Sequence, residues 1–563
     1  MLRKWEVADP APRSHLDRFP SLSPLLAQVL YNRGVSPVDA EHFFAGRWVD
    51  ADPFALPDMI RAVDILIRAI TNRVPIAVYG DFDTDGVTAT ALLVQTLAGL
   101  EADVREYIPN RMNEGYGLNL DALRRLYGQG VRLVVTVDCG IRAMEEIETA
   151  RRAMEFIVTD HHSVGPRLPR ASAVINPKRE DSAYPFRELA GAGVAFKLAQ
   201  ALIRETAQCG DPVHVEERSL LDLAALGTVA DMVPLQEENR HLVKQGLKVL
   251  NEARREGVRA LLRMARVRPG QVSAATIGFG LGPRLNAAGR LGDASLSYRL
   301  LVTGDAGEAH QLARRLEEKN RRRQALTAEA YQRAEQMALA SGESVPILFA
   351  AHKTFMSGIV GLVAGRLAEA YYRPSVIVET GSDVCKGSCR SIKEFHITKA
   401  LDECSDLLVR HGGHAAAAGF KVRNENLDEL IHRLFDIAER ELGDKDLVPA
   451  LRIDADVSLT EMNWATVKWL QKLEPCGQGN PAPLFLSRNV PVSERKTVGS
   501  EGQHLKLTLA AGSEEHEAIA FHMGSRIDRL GDRVDIVYAL EVNEWNGDPR
   551  LQLNVRDIRA AAR

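Results

Sequence analysis

Hydrophobic and polar residues alternate along residues 61–235 in the way that strands and helices alternate in an α/β fold. Continuous apolar runs rich in β-branched residues lie at 74–80, 131–137, 155–159 and 172–175. Helical periodicity, with apolar residues three and four positions apart, lies before or between these runs, at 60–70, 88–100 and 143–153. Because strands that are buried on both faces are continuously apolar, the pattern predicts a mainly parallel sheet covered by helices.

Other patterns divide the rest of the chain. The longest helical pattern runs from Ala306 to about Ala340 and predicts one uninterrupted helix. A second α/β pattern starts near Val345 and ends near residue 445. The last segment, from about residue 448, alternates apolar and polar positions over short runs separated by turns, which is typical of a small β-barrel.

These patterns predict an α/β multidomain protein with six segments. In order, we expect an N-terminal helical appendage (1–60), a parallel-sheet domain (61–235), a helical segment with a glycine- and arginine-rich motif (236–304), a long connecting helix (305–342), a second α/β domain (343–447) and a C-terminal β-barrel (448–563).

The first apolar run stops at three aspartates on alternate positions, Asp81, Asp83 and Asp85, and a helical pattern follows. On a strand these side chains would share one face, and only hard cations make such crowding of carboxylates favourable. A polar turn that caps a helix is the structural alternative. The segment also overlaps the start of a calcium-binding loop, but Leu92 stands where that loop needs a glutamate.

Other side chains able to bind metals also follow apolar runs. They are Asp138, the consecutive Asp160, His161 and His162, and Asp231. Ligands of parallel sheets bind at the carboxyl ends of the strands, and carboxylates mixed with imidazole suit Mn²⁺ or Mg²⁺. Two such ions activate water and stabilise in-line displacement at phosphorus, so the pattern predicts a phosphoryl hydrolase. The alternative for the two histidines is a structural role.

Glycines and arginines provide candidate phosphate contacts further along the chain. Within 277–293, closely spaced glycines allow a ligand near the backbone, and Arg284 and Arg290 offer forked donors. A buried arginine between domains is the alternative for Arg290. Glycine-bearing turns are predicted at 358–366, 386–391 and 411–420. Their backbone N–H groups, with serine hydroxyls and Arg390, could cradle a phosphate.

Composition limits the other possibilities. Hydrophobic content of 45% and charged content of 26% are ordinary for a globular protein, and the net charge of −4 means that nucleic acid would need a local basic patch. The basic residues of the helix at 306–340 are either such a patch or a solvated face. No apolar run reaches the roughly 18 residues of a membrane span, and the N-terminus lacks a signal-peptide core. With six scattered cysteines, we expect a cytoplasmic protein without a membrane partner.

The ordered segments 80–86, 138, 160–162 and 230–231 resemble the four motifs of the DHH phosphoesterase superfamily. Their order and spacing resemble the RecJ family of single-strand-specific 5′→3′ exonucleases, and the resemblance continues through 107–117 and 189–193. The segments at 358–366, 386–391 and 411–420 resemble a DHHA1 domain, which grips nucleic acid. The segment 474–485 resembles the entry into an OB fold.

The resemblance implies a role for each candidate residue. The ligands of two Mn²⁺ or Mg²⁺ ions would be Asp81, Asp83, Asp85, Asp138, His161 and Asp231. His162 would lie beside the scissile phosphate, and Asp160 would orient a histidine. Substrate contacts would come from Arg111, Arg284, Ser388, Arg390, Ser391, Gly412, Gly413 and His414.

The implied activity is release of 5′-mononucleotides from single-stranded DNA in repair and recombination. The implied partners are single-stranded DNA, a single-strand-binding protein and a RecQ-type helicase. One alternative is a DHH phosphodiesterase for short oligonucleotides or cyclic dinucleotides, although such relatives are generally shorter and lack the OB segment. Another is an inactive DNA-binding replication scaffold, although such proteins typically lose metal ligands that are all present here.

Overall fold

The computed structural model describes residues 3–45, 51–340, 342, 345–543 and 549–561. Apart from Met1, the chain divides into two compact units. Unit 1 contains residues 51–233 and 245–448, and unit 2 contains residues 2–50, 234–244 and 449–563. Among the described residues, no helix combines the length and the apolar character needed to cross a lipid bilayer.

The N-terminal segment contains a strand as well as helices. Its elements are β1 (Lys4–Val7), α1 (Arg13–Leu16), α2 (Pro24–Asn32) and α3 (Pro37–Ala45). The expectation of helices alone was wrong here, because β1 pairs in parallel with Ala450–Ile453, a partner that lies far away in the sequence. The buried face of α2, with Leu26 and Leu30, packs into the same core as Phe485 of the C-terminal region.

The first α/β region forms a five-stranded parallel sheet, in agreement with the predicted fold class. Its elements are α4 (Met59–Thr71), β2 (Ile76–Tyr79), α5 (Thr84–Gly99), β3 (Val104–Tyr107), α6 (Leu120–Gly128), β4 (Leu133–Thr136), α7 (Met144–Ala150), β5 (Glu155–Thr159), β6 (Ala173–Ile175), α8 (Gly191–Cys209) and α9 (Glu217–Ala230). The strand order is β3-β2-β4-β5-β6. The pattern missed β3 because this edge strand is only partly buried and carries two charged residues.

A helical region follows the sheet. Its elements are α10 (Glu237–Glu252), α11 (Glu256–Ala265), a π-helical turn (Thr276–Leu281), α12 (Gly282–Arg290), α13 (Ser295–Val302) and α14 (Ala306–Leu339). The long helix α14 confirms the predicted connecting helix. The glycine-rich motif is helical, and its glycines allow close packing: a Cβ atom on Gly289 would lie 2.2 Å from the carbonyl oxygen of Phe82.

The second α/β region has a mixed sheet in the order β10-β11-β9-β8-β7. Its elements are β7 (Leu348–His352), α15 (Ser357–Tyr371), β8 (Ser375–Glu379), β9 (Val384–Arg390), α16 (Ile397–Glu403), β10 (Leu408–His414), β11 (Ala417–Arg423) and α17 (Leu427–Leu442). The prediction of turns at 386–391 and 411–420 was wrong, because most of these residues lie on β9, β10 and β11. Gly387 on β9 is paired with Phe420 on the adjacent strand β11, and a Cβ atom on Gly387 would lie 2.1 Å from that ring.

The C-terminal region is the predicted barrel. Its elements are β12 (Ala450–Ile453), β13 (Ala455–Asp456), α18 (Trp464–Leu470), β14 (Phe485–Val498), β15 (His504–Ala511), β16 (Glu514–Ala520), β17 (Arg533–Asn543) and β18 (Arg550–Ala560). The strand order is β13-β14-β15-β16-β18-β17, and pairing of β14 with β17 closes a five-stranded barrel. Alternate residues of β15 are buried, as the period-2 pattern predicts.

Candidate metal centre and phosphate cavity

The three aspartates after β2 do not share a strand face, so that part of the prediction was wrong. β2 ends at Tyr79, and Asp83 is the N-cap of α5, whose carboxylate accepts a hydrogen bond from the Gly86 N–H at 3.1 Å. Asp85 lies in the first helical turn. Asp83 therefore caps the helix, as the structural alternative proposed, while Asp81 and Asp85 are buried.

The carboxylate of Asp85 sits on the N-terminus of α8. It accepts hydrogen bonds from the N–H groups of Gly191 at 2.7 Å and Ala192 at 2.8 Å. Positive potential at a helix N-terminus stabilises such a negative charge. The same turn approaches Asp138 closely, because a Cβ atom on Gly191 would lie 2.6 Å from the Asp138 Cβ. The glycine at the start of α8 therefore lies against two carboxylates, Asp85 from the first turn of α5 and Asp138 from the segment after β4.

His161 is the point on which the other side chains converge. Its Nε2 atom lies 3.1 Å from Asp138 Oδ1, 3.6 Å from Asp231 Oδ2 and 3.9 Å from Asp85 Oδ2. Asp231 follows helix α9 rather than a strand, so its expected place at a strand end was wrong. Three overlapping groups have ligand atoms within 4.8 Å of one another: Asp138/His161/His162, Asp85/His161/Asp231 and Asp81/Asp83/Asp138.

Several polar atoms of this cluster make no hydrogen bond within the described part of the chain. They are Asp81 Oδ1, Asp138 Oδ1 and both ring nitrogens of His161, all buried. Buried polar atoms normally have a partner, because an unpaired one costs about 1–3 kcal/mol. Unpaired oxygen and imidazole nitrogen atoms that face one another fit divalent cations of the Mn²⁺ or Mg²⁺ type.

The acid–base properties of the cluster point the same way. Burial, followed by repulsion from neighbouring carboxylates, raises the pKa of Asp81 and Asp138 well above the usual value, that of Asp85 to about 7 and that of Asp231 to about 9. Burial lowers the pKa of His161 to about 3, so its imidazole is neutral and able to bind a metal. Without cations, these carboxylates would have to bind protons to relieve their mutual repulsion. Bound cations neutralise the negative charge and make protonation unnecessary.

Asp160 differs from the other carboxylates because its oxygens are fully used. It accepts hydrogen bonds from the backbone N–H groups of Ile141, His161 and His162 and from Nδ1 of His162 at 2.8 Å. Burial opposes its ionisation, but the hydrogen bond and charge of His162 lower the pKa of Asp160. In return, Asp160 outweighs the effect of burial on His162 and raises the pKa of that imidazole.

A cavity of about 220 Å³ adjoins the cluster. Its lining residues are Phe82, Asp83, Arg111, Ala230, Asn286, Arg290, Ser357, Gly361, Ser388 and Arg390. Gly361 allows the far wall to come close, because a Cβ atom there would lie 3.0 Å from Ser388 Oγ and 3.2 Å from Arg390 Nη2. Burial lowers the pKa of Arg111 and Arg390, and three guanidinium groups face one small space. The cavity therefore suits an anion.

The structure brings some of the predicted substrate residues to this cavity, namely Arg111, Ser388 and Arg390. Arg284 is elsewhere: its guanidinium donates to the Glu317 carboxylate at 2.8 Å and to the Gly280 carbonyl at 2.7 Å. Ser391 Oγ donates to the Phe395 carbonyl, outside the cavity lining.

The remaining predicted contacts, Gly412, Gly413 and His414, lie on β10 outside the cavity lining. Burial, and then the positive charges of His162, Lys178 and Arg142, lower the pKa of His414. This end of the β10–β11 hairpin therefore faces the parallel-sheet domain, although the cavity does not include it.

The sequence pattern did not identify Asn286 as a lining residue of the cavity. Asn286 Oδ1 accepts the Thr84 N–H at 2.8 Å, which ties α12 to the acidic segment. Arg290 was not missed: it was offered as a forked phosphate donor, with a buried structural role as the alternative, and it lines the cavity and also donates to the Gly358 carbonyl at 3.1 Å. The signal was present, because Asn286 and Arg290 belong to the same glycine- and arginine-rich motif as Arg284.

Three domain families match this chain. The DHH family N-terminal domain matches residues 75–228, the DHHA1 domain matches residues 344–440 and the RecJ OB domain matches residues 453–557. With the buried acid–imidazole cluster beside an anion cavity, these matches define a DHH-type phosphoesterase.

Relatives with similar sequences specify the family. The single-stranded-DNA-specific exonuclease RecJ of Bacillus subtilis is 35% identical over 98% of this chain and 70% of its own length, and that of Dickeya dadantii is 36% identical over 96% of both. A crystal structure of RecJ from Thermus thermophilus in complex with Mn²⁺ is 30% identical, with a TM-score of 0.84, covering all of this chain and 80% of the other. The Mg²⁺ complex has a TM-score of 0.80 and covers 79% of that chain. The chain belongs to the RecJ family.

Proposed function

We propose that this protein degrades single-stranded DNA from its 5′ end and releases 5′-mononucleotides, with two Mn²⁺ or Mg²⁺ ions at the acid–imidazole cluster. The observation that carries the proposal is the set of buried, unpaired Asp81, Asp138 and His161 atoms beside a basic cavity. The named single-strand-specific exonucleases at about 35% identity support the substrate and the reaction.

The proposed ligands are Asp81, Asp83, Asp85, Asp138, His161 and Asp231. Bound divalent ions would supply a nucleophilic water at neutral pH and offset charge at the phosphate. The protein's own groups orient the substrate. Because Asp160 holds Nδ1 of His162, Nε2 is the ring nitrogen left to donate to a phosphate oxygen, and the raised pKa of His162 keeps that proton in place.

The cavity explains why the enzyme would act at a strand end. A terminal phosphate would fit within its volume of about 220 Å³, and its lining residues come from both α/β regions and from the helical region between them. Arg111, Ser388 and Arg390 would hold that phosphate with charge-assisted hydrogen bonds. The next phosphodiester would then reach the acid–imidazole cluster. That the bound end is the 5′ end is proposed from the sequence resemblance.

The direct test uses a single strand labelled on its 5′-terminal nucleotide and incubated with Mn²⁺. We expect labelled mononucleotide as the first product. Asp85→Ala and His161→Ala should abolish cleavage while strand binding, which depends on basic and backbone contacts, is largely kept. Arg124→Ala is the matched control, because the Arg124 side chain is 71% exposed on α6 and, among the described residues, forms an ion pair with the exposed Asp121 alone.

Other outcomes would point to the alternatives. Digestion confined to oligonucleotides of about two to four residues or to cyclic dinucleotides would indicate the short-substrate phosphodiesterase. Strand binding without cleavage in Mn²⁺ and Mg²⁺ would indicate a scaffold. Normal turnover by the His161→Ala variant would contradict the proposed ligand set.

The proposed setting is cytoplasmic DNA repair and recombination, together with a single-strand-binding protein and a RecQ-type helicase. This part of the proposal is supported by the family resemblance alone. It predicts faster digestion of a duplex when a RecQ-type helicase and ATP are present, and a rate on a protein-coated strand that depends on the identity of the coating protein. Rates unaffected by either addition would contradict it.

A further inference from the structure

Phe279 is an aromatic side chain that the described residues leave almost uncovered. It is 88% exposed, the highest value among the exposed large hydrophobic residues of the described chain. Its neighbours Gly278 and Gly280 have no side chains, and a Cβ atom on Gly278 would meet nothing within 4 Å. Both faces of the ring are therefore open to a planar ligand.

The backbone that carries Phe279 is held firmly. Phe279 lies on the π-helical turn Thr276–Leu281, and such turns occur frequently at functional sites. The Gly280 carbonyl accepts a hydrogen bond from Arg284, and Arg284 forms an ion pair with Glu317 of α14 in which both side chains are 16% exposed. An exposed ring on a fixed turn loses little conformational entropy when it binds a ligand.

The same turn lies close to the catalytic cluster. It continues directly into α12, where the Gly282 carbonyl accepts a hydrogen bond from Thr84 Oγ1 beside the acidic segment. A Cβ atom on Gly282 would lie 3.5 Å from the Cβ of Ala230, which lines the cavity and precedes Asp231. Met232, the next residue, is 71% exposed. Exposed apolar side chains, Met232 and Phe279, therefore lie on segments that adjoin the cavity-lining residue Ala230.

Positive charge lies on the helix end that adjoins this turn. A Cβ atom on Gly280 would lie 3.9 Å from the Ala265 Cβ at the end of α11, and Arg263, Arg266 and Arg268 are exposed around that end. Within the described ranges, no ion pair or side-chain hydrogen bond engages any of these three arginines. An exposed aromatic ring on a turn that adjoins an arginine-rich helix end matches the way in which proteins bind single strands without reading sequence.

We propose that Phe279 stacks against a nucleobase of the strand on the 3′ side of the scissile phosphate, while Arg263, Arg266 and Arg268 contact the phosphates next to that base. The inference rests on the proposed function and adds a positioning surface outside the phosphate cavity. A protein partner could also bury an exposed phenylalanine, but three exposed arginines at the adjoining end of α11 favour a polyanion.

The first test compares Michaelis constants on a long single strand. Phe279→Ala should raise KM about tenfold and leave kcat unchanged, because base stacking on an aromatic ring typically changes affinity by roughly five- to hundredfold. Phe279→Trp should keep the wild-type KM. Phe279→Leu, which is apolar but not aromatic, should behave like Phe279→Ala. Tyr127→Ala is the matched control, since Tyr127 is a 44% exposed aromatic on α6, outside this surface.

The second test removes the base instead of the ring. In a series of strands, one abasic nucleotide is moved stepwise from the 5′ end. With the abasic nucleotide at one particular position, the KM of the wild-type enzyme should rise as much as it does in Phe279→Ala. The same strand should not raise the KM of the Phe279→Ala enzyme any further. The indole fluorescence of Phe279→Trp should change when an oligonucleotide binds without divalent ions.

The outcomes separate the two proposals. If the wild-type enzyme does not degrade single strands, the proposed function fails. If it does, but Phe279→Ala keeps the wild-type KM or no abasic position mimics it, the stacking surface is refuted. Retention of KM by Phe279→Leu would also refute stacking and point to a protein partner. Arg263→Gln and Arg268→Gln should each reduce the slope of the logarithm of the binding constant against the logarithm of the salt concentration, by the amount that about one phosphate contact contributes. An unchanged slope would contradict the role of these arginines.

Discussion

The Nε2 atom of His161 lies 3.1 Å from Oδ1 of Asp138, and neither atom makes a hydrogen bond to any residue that the structure describes. Two buried polar atoms at this distance are expected to be paired, unless both face a third group. A shared cation is the simplest such group, because Asp231 and Asp85 place two further oxygens within 3.9 Å of the same nitrogen. The relationship therefore links the stability of the protein to metal and to pH.

We expect the metal-free protein to lose stability as the pH rises from about 5 to about 8. Burial and carboxylate repulsion raise the pKa of Asp85 to about 7 and of Asp231 to about 9 in the folded chain, against about 3.9 when unfolded. The folded state therefore binds more protons, and stability falls as the pH rises through this window. Scanning calorimetry in EDTA should show a falling Tm, and Mn²⁺ should flatten the curve.

Asp231→Asn is the control for this prediction, because it removes one of the repelled carboxylates. It should reduce the pH slope in EDTA and also weaken the stabilisation by Mn²⁺. A metal-free Tm that rises over the same pH range would contradict the assignment.

Asp160→Asn should lower kcat about 10- to 100-fold with little change in KM, as expected for a group that orients another. Asp160 raises the pKa of His162, so its removal lowers that pKa. If protonated His162 assists the reaction, activity is lost as the pH rises through this pKa, and the alkaline limb of the kcat profile should shift to lower pH. A profile that only decreases in height, without a shift, would indicate a purely structural role for Asp160.

Gly361→Ala should reduce the preference for a 5′-phosphorylated strand over a 5′-hydroxyl strand. The new methyl group would displace Ser388 Oγ and the Arg390 guanidinium, which lie 3.0 Å and 3.2 Å from its position. Gly365→Ala is a matched control on the same helix, because its nearest neighbour, Arg390 Cγ, is 3.9 Å away. The measurement is the ratio of kcat/KM for the two strands. If Gly361→Ala shows the same kcat/KM ratio as Gly365→Ala, the cavity is excluded as the phosphate site.

Arg284→Ala should lower the free energy of unfolding by about 1–3 kcal/mol, because among the described residues the partly buried Glu317 keeps only the exposed Arg321 as an ion-pair partner. Arg284→Ala should also raise KM by disturbing the turn that carries Phe279. This rise should be absent when Phe279→Ala is already present. Denaturant unfolding and steady-state kinetics of the single and double variants check both points. An equal rise of KM in either background would support the direct substrate contact that the sequence resemblance implies.

Local pattern was enough for the fold class and the chemistry of the cluster. Apolar continuity predicts buried parallel strands because each residue's environment repeats along the strand, and β2 and β4 are fully buried. Helical periodicity predicted α14 for the same reason. The residue types needed for a hard cation were also visible, since carboxylates and imidazole have few other reasons to gather at strand ends.

Pattern was not enough for the placement of individual groups. Asp231 ends an apolar stretch that is a helix, and short apolar runs do not distinguish a buried helix from a strand. Arg284 and Arg290 lie in one motif with similar neighbours, yet one pairs with Glu317 and the other lines the cavity. Helical phase and the position of α14 decide between them.

The sequence by itself determined the order of the domains, the parallel sheet and the set of acid and imidazole groups, because these follow from local periodicity and residue chemistry. Only the tertiary structure decided that Asp85 rests on Gly191, 106 residues away, that Gly361 admits Arg390 to the cavity and that Phe279 is left uncovered. Such relationships depend on packing between distant segments, which no local pattern encodes.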